Sequence, residues 1–138
     1  MTSHRESVLS VLHQTLSSGL VARVLRNEIL PEKVAPQGLV IVRDGEPGEP
    51  DVTLNPRTEF YAHRAEIEAY VPRPPTGGGE AGLDALIEAI ARALRPDPSL
   101  GGLCETLNLS APETNVLGME GAAPFLGARL TVTLEYLV

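Results

Sequence analysis

The sequence predicts an α+β domain with a mostly antiparallel sheet of about five strands and two helices packed on one face. Two segments carry apolar residues at helical spacing, and about five others have strand character. Their order, α, β, β, β, α, β, β, contains too few crossover helices for a parallel doubly wound sheet. With 138 residues, the chain is long enough for one hydrophobic core, so residues 1–138 are expected to form a single domain.

Both helix predictions depend on apolar stripes and on signals at the helix ends. Ser3 and Glu6 match a capping box, in which each side chain satisfies a backbone N–H at the helix start. This helix is expected to end at residues 17–19. Its stripe consists of Val8, Leu9, Val11, Leu12 and Leu16. A second helix is predicted over residues 80–94, before Pro96. Its stripe consists of Leu83, Leu86, Ile87, Ile90 and Leu94.

The strand predictions cover most of the remaining sequence. Residues 21–28 are a short candidate, with a helical extension as the alternative. Residues 39–43 contain four consecutive aliphatic side chains, which favours a strand covered on both faces and ended by Asp44-Gly45. Residues 59–71 alternate as a long antiparallel strand with one polar face. The other strands are predicted at residues 103–110 and 128–136.

Two irregular stretches separate these elements. Residues 44–57 are rich in Pro, Gly and acidic residues, and their prolines exclude a helix. We therefore expect a long excursion from the domain body, of a length that is usually functional or disordered. Residues 112–127 form the second irregular stretch, with Gly118, Gly121 and Pro124.

Composition narrows the classes of function. The formal net charge of −7 argues against tight binding to a nucleic-acid backbone. No apolar run approaches the roughly 18 residues of a membrane span, and the N-terminal residues do not resemble a secretory signal. The single cysteine, Cys104, excludes an intramolecular disulfide and cannot build a thiolate zinc site alone. Synthesis in a reducing cytoplasm is the simplest interpretation.

Catalytic, cofactor-binding and metal-binding residues are all predicted to be absent. Cys104 with His63 or His13 is the only thiol-based option, and a buried structural cysteine is the preferred interpretation. His4, His13 and His63 lack metal-ligand spacing, so His63 is interpreted as a satisfied core or interface histidine. Residues 77–79 are three glycines before a helix, but the Lys and Ser/Thr of a phosphate loop do not follow them.

Five segments, in this order, resemble one known family. They are residues 25–31 (LRNEILP), 38–50 (GLVIVRDGEPGEP), 61–68 (YAHRAEIE), 100–103 (LGGL) and 121–124 (GAAP). Over nearly the whole chain the sequence resembles the tail terminator proteins of long-tailed bacteriophages, prophages and gene transfer agents.

The resemblance implies an α/β sandwich that assembles into a ring, usually a homo-hexamer. Such a ring caps the head-proximal end of the tail tube, stops polymerisation of the tube protein and offers a surface to head-tail connector or neck proteins. The implied location is the virion tail, after synthesis in the host cytoplasm. DNA would be only cargo passing through the lumen, where an excess of acidic residues would keep the duplex mobile. No catalytic residue is transferred by the resemblance.

A closed ring needs two different complementary patches on each subunit. The charged excursion is a candidate for the first patch. Its charged residues are Arg43, Asp44, Glu46, Glu49, Asp51 and Arg57. The polar face of the long strand, with Arg64, Glu66 and Glu68, is a candidate for the second. A catalytic carboxylate pair of Glu66 and Glu68 is the less favoured alternative.

Three other functions remain open at this stage. The chain could be another neck or tail-completion subunit, which its binding partner would distinguish. It could be a small acyl-transfer-type enzyme that uses Cys104 and His63. A ligand-binding regulatory domain is the third, although three tyrosines, two phenylalanines and no pocket motif argue against it.

Overall fold

The computed structural model describes residues 2–114 and 125–138. It contains two helices and six strands in this part of the chain. In chain order they are α1 (His4–Gly19), β1 (Arg23–Arg26), β2 (Leu39–Glu46), β3 (Asp51–Thr53), β4 (Thr58–Pro72), α2 (Glu80–Leu94), β5 (Thr106–Leu109) and β6 (Phe125–Leu137).

The strands form one sheet in the order β1-β2-β4-β6-β5, and β3 also pairs with β4. All pairings are antiparallel except that of β1 with β2. The predicted α+β class with a mostly antiparallel sheet is confirmed. The segment at residues 21–28 is a strand and not an extension of α1, so the helical alternative is wrong. The strand expected at residues 103–110 is shorter and spans Thr106–Leu109.

Both helices pack on the same face of the sheet, which we call the helix face. Their apolar stripes share one core cluster with alternate residues of β4 and β6, and only Val11 of the predicted stripe residues is partly exposed. The opposite side, the outer face, carries the polar residues of the same two strands. The alternation predicted for residues 59–71 and 128–136 is therefore confirmed.

The start of α1 follows only half of the capping box. The Ser3 hydroxyl accepts a hydrogen bond from the Glu6 backbone N–H at 3.1 Å, as expected. The prediction that the Glu6 side chain also binds a backbone N–H at the helix start is wrong. The Glu6 carboxylate instead accepts hydrogen bonds from the guanidinium of Arg26. The side chain predicted to cap the helix thus ties α1 to β1.

Strand β2 is covered on both faces, as its aliphatic run predicts. Val40 and Val42 belong to the main core on the helix face. On the outer face Leu39 and Ile41 join Tyr70 in a second small cluster. Leu25, Leu30, Val34 and Phe125 pack against this cluster. One end of the outer face is therefore apolar, while its centre is polar.

Asp44-Gly45 does not end β2, contrary to the sequence-based expectation. The strand continues to Glu46 through an irregularity in which the register with β4 shifts between Arg43 and Glu46. Gly45 has a φ of +67°, and a Cβ atom there would collide with the Arg64 carbonyl oxygen. Glycine allows the chain to pass this close to β4, and the same residue looks like a strand terminator in the sequence.

The segment at residues 44–57 is therefore not an excursion from the domain body. After Glu46 the chain stays beside β4, and β3 pairs with it from Asp51↔Phe60 to Thr53↔Thr58. A tight turn over residues 54–57 then leads into β4. Of the second irregular stretch predicted at residues 112–127, residues 125–127 belong to β6. Residues 115–124, which include the 121–124 motif, lie outside the described part of the chain.

Replacing Gly45 by alanine should destabilise the fold, because it adds both a collision with β4 and strain at a positive φ. The expected loss is about 2–4 kcal/mol in the free energy of unfolding. The measurement is urea denaturation followed by circular dichroism. Gly48→Ala is the matched control, since Gly48 also has a positive φ, +69°, but nothing lies within 4 Å of its Cβ position. Equal losses of unfolding free energy in both variants would show that the collision with the Arg64 carbonyl oxygen is not the cause.

Candidate functional site

The residues predicted to make subunit contacts fall into two regions of the structure. Arg43, Glu66 and Glu68 lie at the centre of the outer face, beside Arg64. Glu46, at the end of β2, and Glu49, Asp51 and Arg57, between β2 and β4, lie at exposed positions in the second region. Asp44 belongs to neither region. The two regions differ in whether their charges are already neutralised within the subunit.

The central charges of the outer face are largely paired across neighbouring strands. Arg43 Nε lies 3.2 Å from Glu68 Oε2, and the Tyr70 hydroxyl donates to Glu68 Oε1 at 2.9 Å. On the other side of β4, Arg129 lies 2.9 Å from Glu113 and 4.0 Å from Glu66. Glu66 and Glu68 thus each face a different arginine, which does not favour a shared-proton carboxylate pair.

Arg64 differs from these residues. It is exposed, and no ion pair to it is found among residues 2–114 and 125–138. Its neighbours in a shallow depression include Asn108, Thr131 and Thr133. Arg64 is therefore an outer-face residue whose charge is available to a partner.

The Asp44 side chain forms its contacts within the subunit. Its carboxylate binds Arg26 through two oxygens at 2.9 and 3.0 Å, and Arg26 also holds both carboxylate oxygens of Glu6. The backbone N–H of Asp44 donates to Asn27 Oδ1 at 3.0 Å. The Arg26 guanidinium lowers the pKa of Glu6 and of Asp44. This arrangement joins α1, β1 and β2.

His63 is a buried residue with hydrogen bonds at both ring nitrogens. Nε2 lies 2.6 Å from the Asp44 carbonyl oxygen, and Nδ1 lies 2.9 Å from the Tyr136 hydroxyl. A neutral imidazole with its proton on Nε2 satisfies both contacts, donating to the carbonyl and accepting from the tyrosine. His63 therefore connects the irregular part of β2 to β6, and neither nitrogen is free to act as a base.

The second region is one end of the sheet, formed by residues 46–60 and 137–138, which we call the hairpin end. Glu46, Glu49, Asp51 and Arg57 are exposed here, and no ion pair involves them in the described part of the chain. Large apolar side chains are exposed beside them. These are Val52 (44%), Leu54 (72%), Leu137 (44%) and Val138 (59%).

These apolar residues are neighbours across strands. Leu137 is the partner of Phe60, and Phe60 is the partner of Asp51 in β3. Val138 exchanges both backbone hydrogen bonds with Glu59, which is itself the partner of Val52. The charged residues of this segment were predicted to make subunit contacts, whereas its apolar side chains were not. The signal was present, since Val52 and Leu54 alternate with polar residues between two prolines.

A groove of about 560 Å³ lies between α2 and β5, the edge strand beyond β6. We call it the α2–β5 groove. Apolar side chains dominate its lining, among them Ile87, Leu94, Leu107, Leu109, Pro98 and Pro112. Glu88 and Arg95 are its charged residues. Sequence reasoning missed this groove because its two walls are separated along the chain.

The residues considered for chemistry do not converge on this groove. Burial, with a smaller contribution from Asp97, raises the pKa of Cys104 to about 11, so the thiol is protonated at neutral pH. Within the described residues no group of His, Cys, Asp and Glu side chains is arranged to hold a metal ion. The helices there are also too short or too polar to cross a membrane.

Comparisons with known proteins do not assign this chain to a family. No protein-family model matches it, and a search of curated proteins found no match.

Replacing Arg26 by glutamine should lower the free energy of unfolding at neutral pH. It should also weaken the dependence of that free energy on pH. The pKa values of Glu6 and Asp44 are lowered below their ordinary values of 4.5 and 3.8. The stabilisation that these two carboxylates give to the folded protein is therefore fully present above those ordinary values. It is lost as the pH falls through the lower, folded-state values. The half-exposed pairs should contribute roughly 1–2 kcal/mol at pH 7.

The measurement is urea denaturation between pH 2 and pH 7. The difference between wild type and Arg26→Gln should be constant near neutral pH and shrink below about pH 4. Arg95→Gln is the matched control, because no ion pair to Arg95 is found in the described chain. A difference that does not change with pH would contradict the assignment.

Cys104 should react slowly with a thiol reagent in the folded protein. A pKa of about 11 instead of the ordinary 9.0 lowers the thiolate fraction at neutral pH by about 100-fold, and burial restricts access further. Labelling by an aromatic disulfide should therefore be at least about 100-fold faster in denaturant. Rapid labelling of the native protein would revive the thiol enzyme as an alternative.

Proposed function

We propose that this chain is a structural assembly subunit that forms a ring and caps the head-proximal end of a phage-type tail tube. The observation that carries the proposal is the hairpin end, where exposed apolar side chains lie beside Glu46, Glu49 and Asp51, for which the described part of the chain supplies no ion pair. The sequence resemblance to tail terminator proteins supplies the tail tube as the target, and the homo-hexamer as the expected ring.

The hairpin end has the composition of a surface that another protein covers. Apolar side chains scattered singly are ordinary on a protein surface, but here four of them lie at one end of the sheet, on or next to strands that pair with β4. Acidic residues around them keep the free subunit soluble and limit the partners it accepts. A sheet end with exposed apolar side chains among acidic ones supports a protein-protein contact.

The α2–β5 groove supports an assembly role more than a catalytic one. Its described lining is mostly apolar, with Glu88 and Arg95 as the charged side chains, and neither Cys104 nor a histidine belongs to that described lining. Cys104 and His63 are both committed to the interior. The acidic balance of the whole chain also suits a ring through which DNA passes without being held.

The proposal is tested by native mass spectrometry and by tube polymerisation. We expect the purified protein to form a homo-oligomer, alone or on tube ends, and to stop elongation of a phage-type tail tube protein. Leu137→Glu should weaken both effects, because a charge replaces apolar contact area at the hairpin end. Val21→Glu is the matched control, since Val21 is 91% exposed and lies outside this surface.

A subunit that stays monomeric beside tube ends and leaves elongation unchanged would contradict the proposal. Binding to portal or head-completion proteins without binding to the tube would instead assign the chain to the neck.

A further inference from the structure

We propose that the hairpin end of one subunit docks into the α2–β5 groove of a second copy, so that neighbouring sheets join edge to edge. This inference rests on the self-association in the proposed function, and it specifies the contact. Its basis is the position of the two surfaces at opposite edges of the sheet, together with their matching strand direction, apolar character and charge.

At the hairpin end, no other strand among residues 2–114 and 125–138 pairs with the outer edge of β3 or of β5, and we call these the two open edges. Strand β3 pairs with residues 58–60 of β4, and β5 pairs with residues 132–135 of β6. Those β6 residues lie opposite residues 62–65 of β4, so both edge strands flank the same end of the sheet. The local strand order is β3-β4-β6-β5, with one open edge on each side.

The strand directions allow these edges to join. Strand β4 is antiparallel to β3 and β6, and β6 is antiparallel to β5. If the subunits follow one another in the same orientation, the β5 strand of one copy meets the β3 strand of the next in antiparallel alignment. The alternation of directions therefore continues across the junction, as an added antiparallel strand requires.

Strand β5 itself contains no charged residue or proline of the kind that usually protects an edge. Its sequence is Thr-Leu-Asn-Leu, without a charged residue or proline between Thr106 and Leu109. Proteins commonly place charges, prolines or covering segments at edge strands to prevent pairing with another chain. Arg23 and Arg26 place charge at both ends of β1 on the other side of the sheet. The uncharged edge of β5 is consistent with a strand that acquires a partner in the assembly.

The side chains of the two surfaces are complementary. Val52 and Leu54 project from the hairpin end as exposed apolar groups, and the α2–β5 groove offers an apolar lining. Asp51 and Glu49 are acidic and Arg57 is basic at the hairpin end, while Arg95 and Glu88 lie at the groove. Each surface thus has charges of both signs that can pair across the contact.

A contact between two different surfaces of the same chain has a geometric consequence. Each subunit offers its groove to one neighbour and its hairpin end to the other, which is the arrangement of a ring or an open filament and not of a two-fold dimer. The occupant of the groove is a second copy of this chain, because the strand direction, apolar character and charges of the hairpin end match those of the groove.

Cysteine cross-linking with a short bismaleimide distinguishes this contact from the alternatives. Thr53→Cys and Asn108→Cys place thiols on β3 and β5 at exposed outer-face positions. We expect covalent dimers when the two variants are mixed and little product from either alone. The wild-type protein shows how much product the buried Cys104 gives by itself. A mixture of Thr76→Cys and Asn108→Cys shows how much product arises from random collision of exposed thiols. Dimers from Asn108→Cys alone would show a two-fold β5 contact and overturn the inference.

Leu54→Glu tests the apolar part of the contact in the full chain. It should raise the dissociation constant of the oligomer by on the order of tenfold or more, as loss of a buried anchor does. Ile29→Glu is the matched control, because Ile29 is 90% exposed and does not line the groove. Both variants should retain the wild-type midpoint of urea unfolding at concentrations where the protein is monomeric.

The outcomes separate this inference from the proposed function. An oligomer that caps tube ends but is unchanged by Leu54→Glu and gives no Thr53–Asn108 cross-link would overturn the inference alone. A wild-type chain that does not self-associate, with or without tube ends, would overturn both.

Discussion

The pairing of β4 with β6 is the interaction on which the rest of the structure depends. It runs without interruption from Phe60↔Leu137 to Pro72↔Phe125, and every other strand except β1 and β5 attaches directly to β4. Its helix face supplies the apolar surface on which α1 and α2 pack, and its outer face displays the polar residues. One antiparallel ribbon thus provides both the core and the exposed surface, because alternate residues point to opposite sides.

Asp44 and His63 fix the hairpin end relative to this ribbon. The irregularity at Gly45 directs β2 along β4, and the bond from His63 to the Asp44 carbonyl oxygen holds it there. Arg26 then links the same residue to α1 through Glu6. Because these contacts are buried or multiply hydrogen-bonded, β3 begins from a defined position, which a strand of only Asp51–Thr53 would not secure alone.

Elements with strong local patterns were predictable from the sequence. The stripe of α2 and the alternation of β4 gave boundaries that the structure reproduces almost unchanged, since periodicity reports which side of an element is buried. Gly45 was misinterpreted because a glycine that ends a strand and one that permits a bulge look identical in a single sequence. Strand β3 depends on pairing with β4, and the α2–β5 groove on two distant segments. Likewise, Asp44 and Glu68 were predicted to make subunit contacts, because their arginine partners come from other strands and are not visible in a local pattern.

A sheet whose edges at β3 and β5 have no further strand in the described part of the chain is a unit that can in principle be extended without limit. Whether successive copies close on themselves or continue as a filament depends on the rotation between neighbours, which the twist of the sheet helps to set. Small changes in that rotation would alter the number of copies in a closed assembly while every local contact stayed the same. The stoichiometry is therefore a property of the angle between subunits, and a template such as a tube end can select it.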